Sequence, residues 1–229
     1  MDYWEYEPES DSLFEPFYDA DADDRSAAET DTVRRLDALL PADPQTGAVA
    51  PFAFLSYLSA MMAMADRYRQ PLSLLAVSVS TEEETRSLLR RFGTEGANLI
   101  GRAVARCLRQ ETRIYDVVGC ASELYPSEAP IFLVVCPLRA EAQAALLAER
   151  LRDAMIAYAE DPDCPWLKVS VGVAAMALDT PDPEALIARG IQALYQADRS
   201  ETGGVWRHSD TVRRIAEENS PQWPDETNS

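Results

Sequence analysis

This 229-residue chain has one lysine, Lys168, and one histidine, His208, so its positive charge rests almost wholly on arginine. We read that bias as base composition rather than chemistry. Its four cysteines, Cys107, Cys120, Cys136 and Cys164, are widely spaced and form no C-x-x-C pair. With a single histidine beside them, a structural zinc site has almost no support and no metal or other cofactor is expected. The thiols are expected to be buried and reduced. No run of about 18 uncharged apolar residues exists, which argues against membrane insertion. The start, Met1 to Glu9, is acidic and aromatic and lacks the basic and apolar regions of a secretory leader, so the expected location is cytoplasmic. Basic residues are outnumbered, 21 Lys and Arg against 39 Asp and Glu, for a net charge of −18. A surface of that sign repels nucleic-acid backbones, so no DNA or RNA partner is expected. A small anion held by a local arginine cluster stays compatible with it.

What the chain does have is apolar content and an uneven charge. Hydrophobic residues make up 47%, enough for a full core in one domain of ordinary size. Residues 1–31 hold twelve acids and one arginine, a net of −11, and the remaining −7 falls on 32–229. The acids of 1–31 are interleaved with aromatics such as Trp4, Phe14 and Phe17, without helical or strand periodicity. Such a segment is expected to be disordered and can fold onto a protein partner, here through Trp4, Phe14 and Phe17. The division read from composition is an acidic-aromatic tail at 1–31 and a short linker helix at 32–42. A domain follows at 43–208, then a short helix and polar tail at 209–229.

Within the domain the apolar spacing predicts helices at 51–69, 83–108, 140–159 and 183–198, the second with a break near Phe92-Gly93. β-rich runs predict strands at 72–79, 131–135 and 169–175. Strands alternating with helices of this length indicate an α/β sandwich with helices packed on a sheet.

Several short motifs recur in a fixed order. They are Asp43-Pro44-Gln45-Thr46-Gly47, Phe92-Gly93-Thr94-Glu95-Gly96-Ala97-Asn98, Ala148-Glu149-Arg150-Leu151-Arg152, Val169-Ser170-Val171-Gly172-Val173-Ala174 and Ala193-Leu194-Tyr195-Gln196-Ala197. With Pro71-Leu72-Ser73-Leu74-Leu75, they resemble over roughly 43–205 the GGDEF domains, the bacterial diguanylate cyclases that join two GTP into cyclic di-GMP. The resemblance implies a cyclase-like sandwich with a central, mainly antiparallel sheet.

It does not carry the family's catalytic residues. The family takes a metal ligand from D-I-D, where this chain has Ser78-Val79-Ser80. Its phosphate-contacting lysine aligns with Glu83, and its guanine-recognising Asn and Asp align with Arg86 and Asn98. The Lys and Arg of its A-K-x-x-G-R-N align with Asp198 and Thr202. Neither alignment of the signature turn, Glu128–Phe132 or Ala121–Tyr125, keeps a Gly-Gly pair. Glu123 is the one acid at the metal position, and only in the second. These losses imply a chain that is not an enzyme, with no catalytic residues.

The family's product-binding R-x-x-D does match, as Arg113-Ile114-Tyr115-Asp116. Together with Arg150 of the A-E-R-I-R-like helix, the resemblance implies a cyclic di-GMP site at Arg113, Asp116 and Arg150. Guanidinium groups donate paired hydrogen bonds to the guanine edge or to phosphate, and a carboxylate accepts from guanine N1 and N2. A regulatory cyclic di-GMP receptor is the expected function. The alternative is a ligand-independent interaction or dimerisation module acting through its surface and its acidic-aromatic segment.

Overall fold

The computed structural model describes residues 35–80, 82–121, 125, 130–159 and 168–218. Trp4, Phe14, Phe17, Cys164, Glu123 and Glu128 lie outside them. Contacts divide the chain at Arg34/Arg35, and Arg35–Ser229 forms one compact unit.

A single 3-10 turn, Leu36–Leu39, leads into a bend around Asp43. Helix α1, Pro51–Tyr68, starts on a proline, whose missing N–H costs nothing in a first turn, and ends on Arg69 in the left-handed conformation. Strand β1 is Leu72–Ser78 and helix α2 is Glu82–Glu111. The break expected near Phe92-Gly93 is there: Gly93 has φ 68° and ψ −173°, a backbone that glycine adopts at little cost. Strand β2, Val117–Cys120, then β3, Ile131–Pro137, α3, Glu141–Ala159, and β4, Val169–Ala175, follow. Helix α4, Pro183–Ala197, is capped by Asp182, whose carboxylate accepts from Ala185 N at 2.7 Å. Strand β5, Gly203–Arg207, and α5, His208–Glu218, close the unit.

The sheet order is β2-β3-β1-β4-β5, with β4 and β5 parallel and every other pair antiparallel. Because side chains alternate across a strand, β1 feeds two cores. Leu75 and Val77 join the α2 and α3 side with Val104, Leu108, Leu147, Leu151 and Met155. Leu74 and Ala76 join the α1 and α4 side with Phe54, Leu58, Leu186 and Leu194. The expected mainly antiparallel sheet flanked by helices is what the molecule has. Cys107, Cys120 and Cys136 are buried thiols in no disulfide.

Close approach explains one glycine in the motif that contains it. A Cβ on Gly172 would stand 2.2 Å from both Gly190 O and Leu194 N, so α4 lies directly on β4. Among the described residues no helix is long and apolar enough to cross a membrane.

Candidate functional site

The Arg113–Asp116 turn connects the end of α2 to β2, and it closes on itself. Asp116 N donates to Arg113 O at 3.0 Å, and Arg113 N donates to Asp116 Oδ2 at 3.0 Å. Arg35 braces the turn from the other side: its guanidinium donates to Arg109 O at 2.6 Å, Thr112 O at 2.9 Å and Asp116 O at 2.9 Å. Leu36 N adds a bond to Ile114 O at 2.9 Å.

These contacts sort the three expected ligand residues into two kinds. Asp116 is fully buried, and its Oδ2 faces Arg139 at 3.6 Å. Its Oδ1 finds no hydrogen bond among the described residues. Burial pushes its carboxyl above the usual range, opposed by the Arg113 N–H and by the charges of Arg139, Arg113 and Arg35. The same burial raises the Cys136 thiol nearby.

Arg113 is exposed, with Nη1 donating to the Tyr115 hydroxyl at 2.6 Å and its guanidinium 5.7 Å from the ring centre. Arg150 projects from α3 toward the same end of α2, donating to Glu111 O and lying 3.7 Å from the Glu111 carboxylate. Its side chain is 60% exposed. The structure thus brings Arg113 and Arg150 to one end of α2, with Asp116 beneath them inside the turn. Exposed arginines, one of them set against a half-buried tyrosine, suit a phosphate or the face of a purine.

The region that aligns with the cyclase catalytic site lies at the other end of the sheet. Ser78 ends β1 beside Ile131 of β3 and Ser170 of β4. Its hydroxyl donates to Ser80 O at 3.1 Å, so the group standing where the family has a metal-binding acid is engaged locally. Among the described residues no three His, Cys, Asp or Glu side chains gather to hold a metal ion. The strands do fix how β2 meets β3. Cys120 pairs with Phe132 and Ala121 N donates to Ile131 O at 2.9 Å, leaving residues 122–130 as the connection.

Two of the substituted charges are neutralised by neighbours that sequence order does not reveal. Glu83 is paired with Arg86 at 2.9 Å. Asp198 is paired with Lys168 at 3.1 Å and accepts from the Ser170 hydroxyl at 3.1 Å.

No family model and no curated protein matches the sequence, whereas solved structures do match the fold. The GGDEF domain of DgcB from Caulobacter crescentus in complex with c-di-GMP superposes with a TM-score of 0.61 at 17% identity, covering 73% of this chain and 95% of that one. The active GGEEF domain of a diguanylate cyclase from Vibrio cholerae does so at 0.54 and 22%, covering 67% and 93%. Diguanylate cyclase SiaD in complex with its activator SiaC, from Pseudomonas aeruginosa, gives 0.61 and 23%, covering 72% and 61%.

These neighbours correct the expectation that the chain is not an enzyme. They are cyclase domains, one of them described as active, so the architecture is that of an enzyme fold. The expectation counted Glu83 and Asp198 as bare negative charges facing a triphosphate. With Arg86 and Lys168 beside them, that opposition is much smaller. The fold of this chain is that of the GGDEF domains.

Proposed function

We propose that this protein is a signalling domain of GGDEF type that binds cyclic di-GMP on the surface formed by Arg113, Tyr115 and Arg150. The observation that carries the reading is that Arg113 and Arg150 are both exposed and both stand by the C-terminal end of α2, Arg150 through Glu111. Two such groups can clamp a cyclic dinucleotide, one on phosphate and one on the guanine edge. Asp116 takes part by fixing the turn that presents Arg113. A direct bond from guanine to its carboxylate requires the turn to open. The solved complexes of similar domains with c-di-GMP give the reading its ligand.

Calorimetric titration with cyclic di-GMP tests it. Saturable binding at micromolar or lower concentration is expected for the natural chain, weakened about tenfold or more by Arg113→Ala and by Arg150→Ala. Absence of binding to the natural chain overturns the reading.

A second reading, docking of a protein partner on the acidic-aromatic segment through Trp4, Phe14 and Phe17, has the support that a similar cyclase is solved with its activator. Loss of a captured partner on deleting 1–31 is its test.

A further inference from the structure

The strongest unassigned feature is an open cleft of about 370 Å3 lined by Arg35, Thr46, Arg102, Arg106, Arg109 and Gln110. It is bounded by the chain entering the domain, the Asp43–Gly47 bend and the C-terminal half of α2. Arg102, Arg106 and Arg109 follow i, i+4, i+7 spacing, so they share one helix face.

Four guanidinium groups meet here, and one carboxylate accounts for two of them. Asp37, buried, lies 3.2 Å from Arg35 and 3.0 Å from Arg109. Arg109 also donates to Gly47 O at 2.6 Å. Among the described residues Arg102 reaches carbonyls alone, Gln45 O at 3.0 Å and Pro44 O at 3.5 Å. Arg106 is exposed and makes no hydrogen bond or ion pair among the described residues.

Two positive charges on one wall are therefore unmatched by a carboxylate among the described residues. Like charges four residues apart on a helix repel. A bound anion removes that cost, and the bend holds Arg102 in place to meet it. Guanidinium favours phosphate, to which it donates two parallel bonds. The volume suits a small molecule with more than one phosphate, being within the usual range for ligand pockets.

We propose that this cleft is a second anion site, taking a diphosphate-bearing small molecule between Arg102 and Arg106, with Arg109 and Arg35 as the fixed rear wall. It is separate from the Arg113–Arg150 surface and does not depend on it. An exposed, unbonded Arg106 can be replaced without disturbing the fold, which makes it the variant of choice.

Pyrophosphate is the probe, titrated into the full chain at low salt and followed by calorimetry. The expected result is one saturable event, weakened about tenfold by Arg106→Ala and similarly by Arg102→Ala, and unchanged by Arg113→Ala. The affinity should fall as salt is raised. Absence of saturable binding overturns the proposal. So does binding that survives Arg106→Ala and Arg102→Ala but is lost with Arg113→Ala, which would move the anion to the other surface.

Discussion

The backbone N–H of Arg113 donates to the carboxylate of Asp116 at 3.0 Å, so the two ends of the R-x-x-D motif are tied to each other. The motif works here as a closed turn that points Arg113 outward while holding Asp116 inside. Its arginine lies exposed against Tyr115, while its aspartate is occupied with structure.

Removing that aspartate should cost stability. Asp116→Ala takes away the acceptor for Arg113 N and leaves Arg139 without its buried partner. Breaking such a pair from one side costs about 3 kcal/mol. Chemical denaturation should show a lower midpoint with an unchanged slope.

The same carboxyl gives a pH signature. Its folded-state value is raised by burial, so between the ordinary carboxylate value and the raised one the folded protein binds more of this proton than the unfolded chain. Stability should then fall as pH rises from the ordinary carboxylate value through the raised one. Asp116→Asn should flatten that part of the stability–pH curve, measured by urea melts at several pH values.

His208 acts in the opposite sense. Burial, and after it the charge of Arg189, lowers its value below the usual 6.5, while Glu141 and Asp179 pull the other way. A histidine with a depressed value adds stability above its unfolded value, and that stability is lost as pH falls through the folded one. As the single histidine it gives one pair of ring C–H signals in a proton spectrum, which should titrate below 6.5.

Packing of α4 on β4 admits no side chain at Gly172. Alanine there would place a methyl 2.2 Å from backbone atoms of Gly190 and Leu194. Overpacking of this kind costs about 2 kcal/mol or more. Thermal unfolding of Gly172→Ala should begin several degrees earlier, whereas Gly204→Ala, with open space around it, should not show this steric loss.

Much of the fold was legible in the sequence because its signals are local. The apolar run in β1 and the spacing of Phe52, Leu55, Leu58, Met62 and Ala65 in α1 mark their own elements, although Phe52 is exposed and Phe54 fills the core in its place. Strands β2 and β5 were not foreseen. The first is four residues interrupted by Gly119, a gap that Phe54 fills, and the second opens on two glycines and is held by parallel pairing to β4. At the site, the R-x-x-D turn was read from its sequence, while the burial of Asp116 was not foreseen. Arg35 and Arg139, which enclose it, come from distant parts of the chain. The pairing of Glu83 with Arg86 and of Asp198 with Lys168 was missed because an aligned position carries no information about its spatial neighbours.

The measurement that tests the central claim most directly is arginine side-chain NMR, following the Nε–H resonances while cyclic di-GMP is added. The account predicts saturable shifts at Arg113 and Arg150 with little change at Arg102 and Arg106. Unmoved Arg113 and Arg150 signals at saturating ligand, or shifts confined to the cleft arginines, would contradict it.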